Sequence, residues 1–363
     1  QIKGFGEYGF PESHAAAFAH LVYVSSFLKC HHPAAFGAAL LNSQPMGFYA
    51  PAQIVRDMRE HGVEVLPPDV SHSAWDTALV PGGAVRLGLR TVDGLPESVA
   101  RRIEGRGPFA DMDDLRARTG ATAAQVRRLA EADALGSLSL PRRPALWAAK
   151  GLRDGPVPPL LMGGPEEGPE PPVALPPMPA PEEVVADYQT LRLSLKAHPL
   201  RFLRRSMAAQ GLLTAAALAR ARHRQRLRAA GIVLIRQRPG SAKGVCFITL
   251  EDETGSINVV VWPKVLEANR KTVMQSRLLL VEGHVQRDGP IVHLVAERLQ
   301  DRSDALLRLA PEALSPPLSR ADEVVAPVQG SRRSPQPGPP GMPPLDPGHP
   351  RDARILPRAR DFR

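Results

Sequence analysis

The acidic residues that could hold a catalytic metal ion stand singly in the N-terminal part of the chain. Asp57, Asp69 and Asp76 are well separated and belong to no acidic dipeptide or tripeptide. Metal-assisted phosphoryl transfer needs carboxylates that converge on one or two ions. The spacing therefore predicts that these three residues are not catalytic metal ligands.

Cys30, His31 and His32 carry atoms that zinc prefers, but they are consecutive residues at a predicted helix end. Consecutive residues cannot easily converge on one ion, and the chain has no Cys-x-x-Cys pair. We therefore interpret them as the end of a helix, with no metal bound. The only other cysteine, Cys246, is far away, which favours a reducing cytoplasm over a disulfide framework.

Positive charge is concentrated in the middle of the chain. The formal net charge is +9, and residues 182–231 carry 10 basic and 3 acidic side chains, whereas residues 1–80 carry 4 and 7. Localised positive charge favours a polyanion such as nucleic acid, since each neutralised phosphate releases counterions. An arginine-rich surface that only keeps the protein soluble is the alternative. No apolar run approaches the ~20 residues of a membrane-spanning helix.

Residues 85–115 have the sequence of a helix-hairpin-helix. They predict a helix, a tight turn around Gly94, and a second helix from about Glu97 to Glu104. Such a hairpin presents backbone N–H groups to a DNA phosphate without reading bases. Pro96 lacks an N–H and removes one donor. The predicted DNA contacts are Gly94, Leu95, Arg101, Arg102 and Arg106. A hairpin with a purely structural role is the alternative.

From Arg224 the apolar period changes to two, which predicts five strands. The strands are Arg226–Arg238, Gly244–Glu251, Gly255–Trp262, Arg277–Gln286 and Pro290–Arg298. A helix at Lys264–Lys271 lies between the third and fourth strands, and this order describes an OB-fold.

The first strand and the loop after it carry the predicted nucleic-acid contacts of this OB-fold. Arg226 and Arg228 form a basic strand face, and Arg236, Arg238 and Lys243 flank the first loop, where OB-folds often grip single strands. We interpret Phe247 and Trp262 as barrel core rather than as stacking platforms for bases.

Helices are predicted at three further places. Ser13 is a candidate cap for a tightly packed helix over Ala15–Leu28, which Lys29 to Pro33 end. A second helix covers Pro51–His61, with Ile54, Val55 and Met58 on one face. A connector helix starts at Glu182 and ends near His198.

Several segments of the chain resemble bacterial family C DNA polymerases. "PESHAAAFA", "CHHPAAF" and "LLNSQPMGFY" are similar to the fingers region, and Glu12 stands where replicative enzymes usually carry a lysine, which favours the error-prone branch. "RQRPGSAKGVCFITLEDETGSINVVVWP" resembles the OB domain of that branch, and "HPRDARILPRARDFR" resembles its C-terminus. The resemblance implies the C-terminal portion of an error-prone DNA polymerase that acts in translesion synthesis and DNA repair.

The resemblance also implies the ligands and the location. Tyr8, Ser13 and His14 are expected near the incoming nucleotide, at a helix start suited to a triphosphate; a cap and a surface residue are the alternative for Ser13 and His14. The full enzyme would use Mg²⁺ and deoxynucleoside triphosphates. Its palm carboxylates would lie upstream of Gln1, so this portion alone is expected to be inactive. Expected partners are primer-template duplex, single-stranded template and accessory translesion proteins, at the nucleoid in the cytoplasm, with no membrane.

Two other classes fit parts of the sequence. A non-enzymatic DNA-binding protein would combine the hairpin and the OB-fold, and a tRNA-binding accessory protein would share only the OB-fold.

The predicted fold is multidomain, with α-helical fingers and a helix-hairpin-helix module followed by an all-β OB-fold. Two Pro-rich stretches separate or follow these parts. The predicted domains are fingers 1–80, hairpin module 81–150, Pro-rich linker 151–181, helical connector 182–223, OB-fold 224–300 and a mostly disordered basic tail 301–363.

Overall fold

A computed structural model of the chain describes residues 12–46, 49–154, 174–239, 242–309 and 360–362. The chain divides into two compact units. The first comprises residues 1–178 and 190–195, and the second comprises residues 179–189 and 196–363. None of the helices in the described ranges has both the length and the apolar character needed to span a membrane.

The first unit contains helices and a small three-stranded sheet. Its helices are α1 Glu12–His31, α2 Pro33–Asn42, α3 Pro51–Glu60, α4 Glu97–Ile103, α5 Met112–Thr119, α6 Ala123–Glu131 and α7 Arg142–Gly151. Its strands are β1 Val65–Leu66, β2 Ala78–Leu79 and β3 Val85–Arg86. The central strand β3 pairs parallel with β1 and antiparallel with β2.

Helix α1 forms where the sequence predicts a helix, but the expectation of tight packing is wrong. Its large apolar side chains are exposed: Phe18, Leu21, Val22, Tyr23, Val24, Phe27 and Leu28. Pro33 does not simply end α1, because it occupies the first turn of α2, where its missing N–H costs nothing. The alanine-rich α2 was not predicted.

One hydrophobic core joins the parts of the first unit. As predicted, α3 buries Ile54, Val55 and Met58. These residues belong to a single cluster that extends from Ala38 to Leu193 and includes the apolar faces of α4 to α7. The predicted fingers range and hairpin module therefore share one core.

No α-helix lies directly before the hairpin turn in residues 85–93, so this part of the prediction is wrong. Strand β3 and a 3₁₀ turn at Leu89–Thr91 lead to Gly94 instead. Gly88 explains the extended path, since a Cβ there would lie 2.3 Å from the carbonyl oxygen of Trp75. The chain must therefore pass directly against the backbone of a neighbouring segment.

The second unit is built on a closed five-stranded barrel. Its strands are β4 Arg226–Gln237, β5 Cys246–Asp252, β6 Gly255–Val261, β7 Leu278–Asp288 and β8 Ile291–Asp301. They follow the order β5-β6-β8-β7-β4, and pairing of β4 with β5 closes the barrel. Strands β6 and β8 are parallel, and the other pairs are antiparallel. The predicted OB-fold is confirmed.

The predicted helix between the third and fourth barrel strands consists of two short helices. They are α11 Pro263–Ala268 and α12 Arg270–Gln275, separated by Asn269.

Gly283 permits the bulge between β7 and β8, since a Cβ there would lie 1.9 Å from the carbonyl oxygen of Val295.

The connector is shorter than the sequence predicts. Helix α8 covers Ala180–Thr190, and Arg192 takes a positive φ of 62°, which ends the helical path before Leu195. Helices α9 Leu200–Ala209 and α10 Ala215–Ala219 follow.

Two contacts fix elements to the barrel. Asp252, fully buried, accepts hydrogen bonds from the N–H of Ala215 at 2.8 Å and from Arg204 at 3.0 Å, so it holds the start of α10. After α13 Asp304–Leu307, residues 360–362 form β9 Arg360–Phe362, which pairs parallel with β4. A strand in the predicted disordered tail was not expected.

Candidate nucleic-acid interface

The hairpin turn of the first unit has a fixed backbone. Gly94 adopts a φ of 78°, a conformation that favours glycine, and Leu95 is buried. The N–H of Leu95 donates to the carbonyl of Val92 at 3.3 Å, and the N–H of Asp93 donates to the carbonyl of Thr190 at 2.8 Å. The turn is thus held from both sides.

The start of α4 offers backbone donors next to this turn. The N–H groups of Glu97 and Ser98 find no acceptor within the described part of the chain, and Pro96 before them makes no side-chain cap. Free N–H groups at a helix start are suited to a phosphate oxygen. The geometry that the sequence predicted for the second half of the hairpin is present.

The three arginines predicted beside the hairpin already have partners. Arg101 pairs with Glu97 at 3.3 Å and with Glu104 at 3.1 Å, and the hydrogen bond to Glu104 raises the pKa of Arg101. Arg102 donates to the carbonyl of Thr119 at 2.7 Å, and Arg106 donates to the carbonyl of Arg118. These side chains hold the module together, and their contact with DNA stays a prediction.

Arg128 is a residue that sequence reasoning missed. Its Nε lies 3.5 Å from the point where a Cβ of Gly94 would stand, so its guanidinium lies over the turn. Its side chain is 54% exposed and pairs with Glu131 at 2.9 Å. The Thr122–Gln125 capping box fixes the start of α6, and with it the exposed position of Arg128.

Arg236 is not a phosphate contact, and this prediction is wrong. The residue is 6% exposed, and its guanidinium donates to the carbonyls of Val273 and Ser276 near the end of α12. The charge is therefore used to fix α12 on the barrel.

Arg238 and Lys243 remain at the surface of the loop between β4 and β5. Both are exposed, and neither has a carboxylate partner among the residues that the structure describes. Arg238 Nη2 lies 3.4 Å from the point where a Cβ of Gly244 would stand, and Lys243 has a φ of 49°. Counting only described residues, two cations without a carboxylate partner therefore stand on one loop.

The basic face of β4 is partly neutralised. Arg226 is 79% exposed and lies 3.4 Å from Glu297, whose pKa is lowered by a hydrogen bond from His284 and by the charge of Arg226. Arg228 is half-buried and donates to the carbonyl of Gln210 at 3.2 Å. Arg226 is thus the more accessible of the two.

Three further arginines precede β4, of which Arg220 and Arg222 were not predicted. Arg220, Arg222 and Arg224 are exposed, and no ion pair is described for any of them within the described ranges of the second unit. Arg287 braces this segment by donating to the carbonyls of Ala219 and Ala221. The sequence signal for Arg220 and Arg222 is that arginine recurs at every second residue from 220 to 228.

Trp262 lies outside the barrel, so its interpretation as barrel core is wrong. It is 53% exposed, at the start of α11. Phe247 is half-buried and packs on a small cluster formed by Val245, Val260 and Val295, separate from the main barrel core. Alternation along β5 and β6 explains this, because Cys246 and Val261 point inward.

Comparison with known proteins identifies the family. The helix-hairpin-helix motif matches residues 62–145, and the OB-fold nucleic acid binding domain matches residues 228–302. The error-prone DNA polymerase of Brucella abortus is 48% identical over 371 residues, which cover 100% of this chain and 32% of that protein. The chain is therefore similar over its whole length to one part of the error-prone DNA polymerases.

Other members are similarly close. Error-prone DNA polymerase 2 of Rhizobium meliloti is 50% identical over 94% of the chain, and the enzyme of Rhodopseudomonas palustris is 50% identical over 100%. The chain spans about a third of the length of these relatives, 33% and 35% respectively. It thus corresponds to a part of an error-prone DNA polymerase, which confirms the resemblance.

In this polymerase part, the scattered aspartates have individual partners. Asp57 pairs with Lys29 at 2.8 Å, and Asp76 pairs with Arg90 at 2.6 Å. Asp69 is buried and accepts hydrogen bonds from the N–H groups of Ser71 and Ser137. Within the described ranges, no group of three His, Cys, Asp or Glu residues is placed to hold a metal ion.

The expected nucleotide contacts lie outside what the structure describes. Tyr8 is not among the described residues, and of Ser13 and His14 only the helical backbone is described. Their role stays a prediction.

Proposed function

We propose that this chain is the DNA-holding part of an error-prone DNA polymerase that extends primers across damaged template in translesion synthesis and repair. The observation that carries the proposal is the match of the whole chain to about a third of the length of error-prone DNA polymerases, 32% of the Brucella abortus protein, combined with two nucleic-acid modules in one chain. The full enzyme would use deoxynucleoside triphosphates and would act with accessory translesion proteins at the nucleoid.

The two modules would hold different forms of DNA. The hairpin would bind duplex through backbone N–H groups and Arg128, which contact phosphates and read no bases. The barrel would bind the single-stranded template, with Arg238 and Lys243 on phosphates and the exposed ring of Trp262 as a stacking surface.

Catalysis would depend on residues outside the described ranges. Mg²⁺ would supply the charge stabilisation that nucleotidyl transfer requires. The described residues do not fit this role, because each of Asp57, Asp69 and Asp76 has a separate structural partner. We therefore propose that this chain alone binds DNA and extends no primer, and that Tyr8, Ser13 and His14 lie near the nucleotide in the full enzyme.

The test uses the purified chain, labelled duplex, labelled single strand and a primer-template. At low salt we expect binding to all three and no primer extension with Mg²⁺ and nucleotides. Arg128→Ala should weaken duplex binding more than single-strand binding, and the double variant Arg238→Ala, Lys243→Ala should do the reverse. Arg308→Ala removes one charge from an exposed residue elsewhere and is the matched control. Failure to bind either form of DNA would refute the proposal, and template-dependent extension would refute the assignment of catalysis to other residues.

A further inference from the structure

The first barrel strand, β4, runs past the strand beside it. Strand β7 pairs with residues 226–232 of β4, and the N–H of Val233 donates to the carbonyl of Arg277 at 2.8 Å. The register with β5 shifts directly after Val233, and β4 continues to Gln237. Among the described residues, the last three paired positions of β4, 235–237, therefore have β5 on one side and no barrel strand on the other.

An open strand edge of this kind is a site for backbone pairing. Unpaired N–H and C=O groups on the edge of a sheet are a template for an extended segment. The site is short, because β7 bounds it at one end and β4 stops at the other. Three residues span about 10 Å in a parallel strand. Gln237 and Arg238 are exposed, so this end of β4 lies at the surface of the barrel.

The structure places a segment of the same chain on this edge. Strand β9 Arg360–Phe362 pairs parallel with β4, in a register that runs from Ile235 opposite Arg360 to Gln237 opposite Phe362. The three pairs fill the site from end to end. Because β9 runs parallel to β4, it leads toward the loop that carries Arg238 and Lys243.

Three backbone pairs form a weak interface, and this weakness decides which occupant fits. A segment of the same chain meets the edge at an effective concentration set by its tether, so pairing that is weak between separate molecules can be nearly complete within one. The chain between β8 and β9 is long enough for this, since about 50 residues can reach over about 160 Å. A separate peptide or a second copy lacks the advantage of the tether.

We propose that the edge of β4 at residues 235–237 is a peptide-docking site, and that residues 360–362 of this chain are its reversible occupant. The docked segment blocks the edge, because paired N–H and C=O groups are no longer available to another extended chain. Release of the segment makes the site available next to the first barrel loop. This inference goes beyond the proposed function and does not depend on DNA binding.

Hydrogen exchange at residues 235–237 measures the occupancy of the site. The full chain is compared with a variant that lacks residues 360–363. The N–H groups of successive strand residues alternate between the two edges, so one or two of the three amides face β9. We expect those amides to exchange at least about tenfold more slowly in the full chain, which corresponds to docking for about nine-tenths of the time. Unchanged exchange in β7 and β8 shows that the truncated variant keeps its barrel.

Two proline variants test for a backbone ladder. Asp361→Pro and Phe362→Pro each remove one N–H. Adjacent N–H groups of β9 point to opposite sides, and β4 is the neighbour that the described residues give β9, so one of the two variants removes a donor to β4. We expect that variant to lose most of the protection and the other to retain more of it. Arg363→Ala, directly after β9, removes a charge but no ladder residue, and as the matched control it should retain all of the protection.

A peptide added to the truncated variant tests whether the edge is a binding site. The peptide PRARDFR, residues 357–363, should restore protection at a concentration on the order of 1 mM. It should bind the full chain about tenfold more weakly, because the site is free for only about a tenth of the time. The same peptide with N-methyl groups on the three β9 residues keeps its charge and side chains but loses the donors, so it should restore no protection.

The outcomes decide between the possible occupants. Equal exchange at residues 235–237 in the full and truncated chains overturns the proposal. Equal protection in both proline variants and in Arg363→Ala overturns the backbone ladder on which the proposal rests. Protection that falls when the full chain is diluted assigns the strand to a second copy and overturns occupancy within one chain. Failure of the peptide to restore protection overturns the docking site.

Discussion

Three basic residues at or near the first barrel loop have different environments, which predict a structural role for one and DNA contact for the other two. Arg236 is buried and donates to two backbone carbonyls, whereas Arg238 and Lys243 are exposed and unpaired within the described ranges. Arg236→Met keeps much of the side-chain volume and removes the charged donors. The double variant Arg238→Ala, Lys243→Ala removes surface charge. We predict opposite effects of these changes on stability and on DNA binding.

The magnitudes follow from the contacts. Hydrogen bonds from charged groups contribute about 1.5–3 kcal/mol each, and two carbonyls lose their donor in Arg236→Met, so the free energy of unfolding should fall by about 3–6 kcal/mol. For a domain of about 100 residues this lowers Tm by roughly 15–30 °C. The double variant should leave Tm nearly unchanged. It should reduce the slope of log K against log salt by about 1.4, at about 0.7 for each of two phosphates.

The assay is a melt beside a salt titration of single-strand binding for each variant. Arg308→Ala, exposed and far along the chain, controls for loss of one charge. A flatter salt slope in Arg236→Met with an unchanged Tm would refute the structural role of Arg236. An unchanged slope in the double variant would refute phosphate contact by this loop.

Three further predictions concern the first unit. Gly94→Ala places a side chain at a φ of 78°, so it should cost about 1 kcal/mol of stability and weaken duplex binding, as followed by melts and binding curves. Burial raises the pKa of Asp69, but hydrogen bonds from Ser137, His72 and Ser71 outweigh it and lower the pKa overall. Stability from this group is therefore complete above its unfolded pKa of 3.8 and is lost as pH falls through the lower folded value, so Asp69→Asn should reduce the acid dependence of Tm. The exposed apolar surface of α1 predicts concentration-dependent self-association, which Leu21→Lys should reduce in sedimentation experiments.

The barrel was predictable because its signals are local. Period-two alternation and turn residues determine β5, β6 and their neighbours, and these strands form within a few residues of their predicted limits. The direction of Arg236 was not predictable from alternation, because six consecutive residues of β4, from 229 to 234, are buried. Where a strand is covered on both faces, the period no longer tells inward from outward.

The prediction of a helix before the hairpin turn was wrong for a different reason. No helix forms over residues 85–91, because at Gly88 the chain passes against the backbone of Trp75, a tertiary contact that local sequence does not reveal. Trp262 was misplaced because a large aromatic is usually buried, yet the start of α11 at Pro263 turns the chain out of the barrel at that residue.

Charge counted along a sequence also differs from charge available to a ligand. The hairpin module carries 12 basic and 8 acidic side chains over residues 81–150, a surplus that suggests phosphate binding. In the structure, Arg101 forms ion pairs with Glu97 and Glu104, while Arg102 and Arg106 donate hydrogen bonds to backbone carbonyls. Duplex binding by the hairpin would then depend on fixed N–H dipoles and on Arg128. Dipoles release no counterions, so the salt dependence of duplex binding should be weaker than the number of arginines implies. The barrel loop carries cations without a carboxylate partner among the described residues. Single-strand binding by this loop should therefore show the full salt dependence of about 0.7 for each phosphate that it contacts.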